Sequence, residues 1–158
     1  MTRPRQTLIL FAAVAALALC ALAPRAAHAQ AKGRIYVSDV EFGAYSSEKE
    51  MAQAIKKQAK TTIKDEGGTW PLNLMVFLNA APGADTINIV YYDVSVKPRD
   101  QVNFSEVKVQ PTQKIVQVNG VSISKDLGFV KGHKYDVLAT RIIGGKEKVY
   151  AKGTITLK

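Results

Sequence analysis

Residue types that commonly perform catalysis or hold a metal ion are scarce in this chain. The 158 residues contain one cysteine, Cys20, and two histidines, His28 and His133. Cys20 and His28 lie in an N-terminal segment that we expect to be removed, which leaves His133 alone. A single histidine without cysteine cannot supply the usual zinc ligand sets. We therefore expect neither a metal nor a cofactor.

Nucleophilic catalysis is also poorly supported by the sequence. His133 could be combined with Ser122, Ser124 or Asp126, but no serine lies in a Gly-x-Ser-x-Gly elbow. Nothing in the spacing places a base against a nucleophile. A structural or incidental role is the favoured interpretation of His133.

Two pairs of carboxylates are the remaining candidates for acid–base catalysis. Asp39 and Glu41 would share one face of a strand, and Asp65 and Glu66 would lie together at the end of a helix. General acid catalysis at neutral pH needs a carboxyl group whose pKa is raised by confinement in an apolar site. Neither pair has apolar neighbours of that kind, so solvated charge is favoured and a hydrolase is kept as the alternative.

Aromatic side chains offer a different kind of site, a recognition surface. The candidates are Trp70, Tyr91, Tyr92 and Tyr150. Tyr91 and Tyr92 are adjacent in a predicted strand and face opposite sides of it, so one of them can lie outside and contact a sugar or a peptide. Packing in the core explains all four residues equally well.

Lysines recur along one face of a predicted helix. The stripe consists of Lys49, Lys56, Lys60 and Lys64, at roughly helical spacing. Such a stripe could bind an anionic lipid or polymer, but a solvated helix face is the preferred interpretation.

The first 29 residues have the pattern of a cleavable secretory signal. Arg3 and Arg5 precede an apolar run over residues 8–23, and Ala27-His28-Ala29 supplies the small residues that a signal peptidase accepts. Cleavage would leave Gln30 first and lower the formal net charge from +9 to +6, because three arginines and no acidic residue are lost. A charge of that size does not indicate specific nucleic-acid binding.

Lipidation is the alternative fate of this segment. Leu17-Ala18-Leu19-Cys20 resembles a lipobox, although Leu19 departs from the small residue expected before the cysteine. Ordinary cleavage is favoured. Lipidation at Cys20 would tether the protein to a membrane, and a membrane partner is expected only in that case.

The remainder of the chain, residues 30–158, is predicted to form a single mostly β domain. A capping box at Ser47 to Glu50 and apolar residues at helical spacing predict one amphipathic helix over residues 47–64, ended by Gly67-Gly68. Asn119-Gly120 is typical of a type I′ hairpin turn, with an irregularity inside one strand as the alternative. About seven strands are predicted, over residues 34–42, 72–78, 86–96, 102–109, 115–123, 135–140 and 149–157.

The segment Phe129, Gly132 and Tyr135 resembles the tyrosine corner of fibronectin type III and immunoglobulin-like sandwiches. The resemblance covers about residues 129–157, and Lys131 stands where a proline is frequent in those families. It implies an immunoglobulin-like antiparallel β-sandwich in which Tyr135 opens the penultimate strand. The Tyr135 ring would lie in the core and its hydroxyl would bond to upstream backbone, a structural role.

These features favour an exported, non-catalytic module for binding, adhesion or envelope assembly. Its expected partner is a protein or polysaccharide of the cell envelope, in the periplasm or outside the cell. Two alternatives stay open: a periplasmic or secreted hydrolase that uses paired carboxylates, and an electrostatic binder of anionic envelope polymer that uses the lysine stripe.

Overall fold

Eight β-strands and one α-helix make up the part of the chain that the computed structural model describes, residues 32–158. The strands are β1 (Arg34–Ser38), β2 (Thr62–Ile63), β3 (Thr69–Phe77), β4 (Thr86–Asp93), β5 (Asp100–Lys108), β6 (Ile115–Ser124), β7 (Lys134–Ile143) and β8 (Lys146–Leu157). Helix α1 (Glu48–Gln58) lies between β1 and β2, and a 3₁₀ turn (Lys125–Leu127) follows β6. The predicted signal at residues 1–29, with Cys20 and His28, lies outside the described residues.

The strands form one sheet that is nearly barrel-shaped, and its end strands β5 and β6 do not pair with each other. Their order is β5-β4-β7-β8-β1-β3-β6, and β2 also pairs with β8. Neighbours are antiparallel except for β1–β8 and β2–β8, which are parallel. Because β1 and β8 share only the paired position of Arg34 with Lys152, the sheet divides there into a four-stranded half (β5-β4-β7-β8) and a three-stranded half (β1-β3-β6).

The inner faces of the two halves meet in one main core. This cluster contains buried residues from both halves, such as Ile89 and Val137 from the first and Leu74 and Val116 from the second. The described residues, 32–158, form one compact unit around it. The predicted mostly β, sandwich-like architecture is thereby confirmed, with a closure close to that of a barrel.

Gly153 allows the two halves to approach at their junction. A Cβ atom at this position would lie 2.6 Å from the carbonyl oxygen of Ile35 and 3.0 Å from the Ile35 Cβ. Both distances are below normal van der Waals contact. The absence of a side chain in the middle of β8 therefore permits β1 to lie directly against it.

Helix α1 covers the outer face of the three-stranded half. The Ser47 side chain accepts a hydrogen bond from the Glu50 backbone N–H at 3.2 Å, which confirms the predicted N-terminus. Ile55 packs in a second, smaller core with Phe42 and Met75. Met75 lies on the opposite side of β3 from the inner residue Leu74, so this second core forms a layer outside the sheet.

The helix is shorter than predicted. It ends at Gln58, and Ala59 is already extended, so the predicted end at residue 64 is wrong. The following residues form β2, where Ile63 is fully buried in the main core and pairs with Leu157 of β8. Thr62 and Ile63 are β-branched, and pairing with β8 satisfies their backbone better than continuation of an exposed helix.

Asn119-Gly120 does not form a hairpin turn. It lies inside β6, where two residues oppose the single residue Asn73 of β3 between the pairs Leu72–Val121 and Leu74–Val118. Gly120 has a φ of 70° and its N–H donates to the Asn73 side chain at 2.8 Å. The arrangement is a β-bulge. The predicted hairpin turn is therefore wrong, and the alternative, an irregularity within one strand, is correct.

Candidate binding face

The outer face of the four-stranded half, which we call the four-strand face, combines exposed and buried side chains: Gln101, Phe104 and Lys152 are exposed, whereas Val90, Asp136 and Leu138 are buried. Cross-strand partners of a sheet project from the same side. The register therefore aligns Gln101, Tyr92, Asp136 and Thr154 in one row across the four strands, and Phe104, Val90, Leu138 and Lys152 in the next.

Tyr92 is held in place by three neighbours. The Arg99 guanidinium carbon lies 4.4 Å from the centroid of its ring, a cation–π contact. Its hydroxyl lies 3.3 Å from the side-chain oxygens of both Gln101 and Glu147. Partial burial, with the negative charge of Glu147, raises the pKa of Tyr92 despite the opposing charge of Arg99. The ring is thus oriented and stays neutral at physiological pH.

Phe104 is a large apolar side chain of this face that remains uncovered. It is 59% exposed, although it sits in the middle of β5, a strand with a partner on one side only. Between the pairs Tyr91–Asn103 and Tyr92–Gln101 the register shifts, so Val102 is an extra residue on β5. Val102 packs against the core, and this bulge allows Phe104 and Gln101 to occupy the same outer face.

The side of the face towards β8 is polar. Asp136 forms an ion pair with Lys152 at 2.7 Å and accepts a hydrogen bond from the Thr154 hydroxyl at 3.1 Å. An aromatic and cationic area around Tyr92, Arg99 and Phe104 therefore lies beside an area of satisfied polar groups. Such a mixture suits recognition of a ligand that has both apolar and hydrogen-bonding surface.

A second cluster, at the turn before β7, joins His133 to a residue that the sequence did not pair with it. The His133 Nδ1 atom lies 2.7 Å from a carboxylate oxygen of Asp93, which is buried at the end of β4. The other carboxylate oxygen accepts the Ser95 N–H at 2.8 Å. In the described part of the chain, Ser122, Ser124 and Asp126 make no hydrogen bond to His133. The pair connects β4 to the turn before β7.

Tyr135 occupies the position that the tyrosine-corner resemblance implies. Its ring is fully buried and lies 5.1 Å from that of Phe129, and its hydroxyl accepts the Val130 N–H at 2.7 Å. Gly132 has a φ of 88°, a value that favours glycine in the turn that leads into β7. Burial, reinforced by the charge of Asp93, raises the pKa of Tyr135 against the effect of the Val130 hydrogen bond.

Three of the four aromatic residues proposed for a recognition surface are in the core, so that prediction is wrong for them. Trp70, Tyr91 and Tyr150 are all almost completely buried. The Trp70 indole N–H donates to the Lys158 carbonyl at 3.2 Å, and the Tyr150 hydroxyl donates to the Pro82 carbonyl at 3.3 Å. Only Tyr92 lies on the surface.

The lysine stripe does not exist as one helix face. Lys56 is exposed in the last turn of α1, whereas Lys60 follows the helix and Lys64 follows β2. Lys60 forms an ion pair with Asp39. Because the helix ends at Gln58, the three side chains do not share the regular spacing that a common helix would impose.

The two carboxylate pairs lie in connecting segments, where Asp39 and Asp65 are partly buried and Glu41 and Glu66 are exposed. Asp39 binds Lys60, and Asp65 accepts the Gly68 N–H at 2.7 Å and lies 3.8 Å from the Lys131 ammonium. Asp65 and Glu66 follow β2 and not the helix, which corrects their predicted position. Across residues 32–158, no group of three or more His, Cys, Asp or Glu side chains could hold a metal ion.

Two shallow cavities are present among the described residues. One of about 420 Å³ is lined by Lys125, Gly128, Phe129, Val130 and Lys131. A smaller one of about 230 Å³ is lined by Thr86, Ile87, Asn88, Glu106, Arg141 and Ile142. Neither is lined by the carboxylate pairs or by His133.

The sequence contained one signal for the residues it missed on the four-strand face. Side chains alternate between the two sides of a regular strand. In the predicted strand 102–109, Phe104 is an odd number of residues from Val107 and Val109, so it lies on the other side from them. Val107 packs against the core, so Phe104 lies outside. Arg99 gave no such signal, because its contact depends on the turn before β5.

No protein-family model matches the chain, and no curated protein or solved structure is significantly similar to it. Within residues 32–158, no helix has the length and apolar character needed to span a bilayer.

Proposed function

We propose that the protein is an exported, non-catalytic binding module whose four-strand face recognises a protein or polysaccharide of the cell envelope. The observation that carries the proposal is the exposed Phe104 ring beside Tyr92 and Arg99 on a rigid sheet. Aromatic residues and arginine are the types enriched where binding energy is concentrated. Their rings can stack on a sugar or cover an apolar peptide side chain.

We further propose that the domain is an immunoglobulin-like sandwich. If the two-residue β2 is set aside, the first, second and fifth strands form one half and the third, fourth, sixth and seventh form the other. This division is similar to that of immunoglobulin-like domains, with an additional strand beside the third. The Tyr135 hydroxyl bonded to the backbone at Val130 supports the same assignment.

Crosslinking in intact cells tests the proposed binding face. The full chain, the variants Phe104→Ala and Arg99→Ala, and the control Val40→Ala would be expressed and captured after crosslinking. Val40 is also highly exposed but lies on the chain segment beyond β1, away from the four-strand face. Truncation of a central binding residue costs about 1 kcal/mol or more, so we expect roughly fivefold or greater loss of the crosslinked partner with Phe104→Ala.

Two results of the crosslinking experiment would contradict the proposal. Retrieval of nothing above background by the unaltered chain would remove the case for an envelope partner. Equal retrieval by Phe104→Ala and Val40→Ala would move the binding site elsewhere.

Cell fractionation with intact-mass analysis tests export separately. We expect the protein in the envelope fraction with a mass that corresponds to a first residue at Gln30. A chain that begins at Cys20 and is heavier than its sequence would indicate lipidation. An uncleaved chain in the cytoplasm would overturn export.

A further inference from the structure

The turn between β7 and β8 projects aliphatic side chains that nothing in the described chain covers. All residues from Ile142 to Val149, which we call the hairpin tip, are exposed. Ile142 is 60% exposed, Ile143 46% and Val149 41%. Gly144 and Gly145, with φ of 58° and 75°, make the tight two-residue connection that lets both strands extend to the tip. The result is a hairpin tip with three exposed aliphatic side chains.

Lysines outnumber acids at the hairpin tip. Lys146 is paired with Ile143 across the strands and Lys148 with Arg141, so these four side chains lie on one face. Ile142 lies on the other face, where its partner Glu147 approaches the Tyr92 hydroxyl. The Lys148 ammonium lies 4.9 Å from the centroid of the Tyr150 ring, and the Arg141 guanidinium donates to the Pro82 carbonyl. Glu106 of β5 shares the smaller cavity with Ile142. The two lysines therefore accompany Ile143.

We propose that the hairpin tip docks on an anionic lipid bilayer, with Ile142 and Ile143 inserted below the headgroups and Lys146 and Lys148 among them. Exposed aliphatic side chains at a hairpin tip need no matching concave surface to leave water when the partner is hydrocarbon. Lysines are depleted in the cores of protein interfaces, whereas their long stems reach the headgroup layer from an inserted segment. This attachment does not depend on Cys20 and uses residues outside the proposed partner site at Phe104.

Sedimentation with vesicles tests the proposal. Residues 31–158, which contain every strand, the helix and both cores, would be mixed with vesicles of equal parts phosphatidylglycerol and phosphatidylcholine, or of phosphatidylcholine alone. We expect binding to the anionic vesicles, weakened about tenfold by Ile142→Thr with Ile143→Thr. Lys146→Gln with Lys148→Gln should weaken it by roughly fivefold for each lysine. Threonine keeps the β-branched shape that suits a strand, and cooperative thermal unfolding would verify that each variant is folded.

The matched control removes the same charge elsewhere. Lys56→Gln with Lys57→Gln changes two lysines in the last turn of α1 and should leave vesicle binding within about twofold of the unaltered protein. Equal loss in the two lysine variants would show general charge attraction and overturn the docking of the tip. Loss in the lysine variant without loss in the isoleucine variant would show attraction to the vesicle surface without insertion and overturn the inserted isoleucines, and absence of binding to either vesicle would reject the proposal.

Discussion

Tyr91 and Tyr135 are both core tyrosines, but their hydroxyl groups differ in hydrogen bonding. Both rings are buried and both contact Phe129, at centroid distances of 5.4 and 5.1 Å. The Tyr135 hydroxyl accepts the Val130 N–H, whereas the buried Tyr91 hydroxyl has no hydrogen-bond partner among the described residues. The first hydroxyl stabilises the turn before β7, and the second costs desolvation free energy without a compensating bond.

The same substitution at these two positions should therefore have different effects on stability. Tyr135→Phe removes the acceptor of the Val130 N–H, so we expect the free energy of unfolding to fall by about 1–3 kcal/mol. Tyr91→Phe removes an unpartnered buried polar atom and should be neutral or stabilising by up to about 1 kcal/mol. Urea unfolding of both variants measures the difference. Equal destabilisation would show that the Tyr91 hydroxyl has a partner in solution.

At the scale of elements, the sequence predicted most strands but not their faces. The alternation of Ile87, Ile89 and Tyr91 with Val90 and Tyr92 is correct for β4, yet alternation alone cannot tell which side meets the core. Which side of β4 meets the core depends on contacts with strands that are distant in the sequence. Tyr91 and Tyr92 could therefore be separated by the sequence but not assigned to the inside and the outside.

Local signals failed where pairing with a distant strand decided the conformation. The helical spacing of apolar residues continues past Gln58, but the helix does not. The chain instead pairs β2 with β8, because this pairing buries Ile63 completely in the core. Asn119-Gly120 has the residues of a turn, but the flanking apolar residues pair with β3 on both sides, and the chain accommodates the glycine as a bulge. The Asp93–His133 contact spans 40 residues and had no local signal at all.

The junction of β1 and β8 gives a prediction at this scale. Gly153→Ala would place a methyl group against the Ile35 carbonyl, and we expect overpacking to lower the free energy of unfolding by about 1–3 kcal/mol. Gly43→Ala is the matched control, because no atom lies within 4 Å of the position that its Cβ would take. It should change stability by less than about 0.5 kcal/mol. Urea unfolding of the two variants would contradict the close approach if both lost the same amount.

In the described part of the molecule, a helix covers one half of the sheet and none covers the other. The segment from Asp39 to Lys60, with α1 at its centre, covers the three-stranded half through Phe42 and Ile55. On the four-strand face Val90 and Leu138 are buried, whereas Phe104, the cross-strand partner of Val90, is exposed. Because no helix lies over Phe104, this asymmetry supports the proposed use of the four-strand face for a partner.

Burial of phenol groups also predicts how the whole molecule responds to alkali. Burial raises the pKa of Tyr91 far above its ordinary value of 10.0, and burial together with Asp93 raises that of Tyr135. Above about pH 10 the unfolded chain releases these protons while the folded chain retains them, so the unfolded state gains stability. The contribution of these tyrosines to the free energy of unfolding should be constant below pH 10. Above pH 10 it should fall by up to about 1.4 kcal/mol per pH unit for each such tyrosine.

Urea unfolding at a series of pH values from neutral to alkaline measures this dependence, and Tyr91→Phe isolates one contribution to it. Lysines also titrate in this range, but they are the same in both proteins, so the difference between the two curves belongs to Tyr91. We expect the variant to lose stability less steeply above pH 10. Parallel curves for the two proteins would mean that the Tyr91 ring is accessible to water in the folded state, and the packing of Tyr91 against Phe129 would then be wrong.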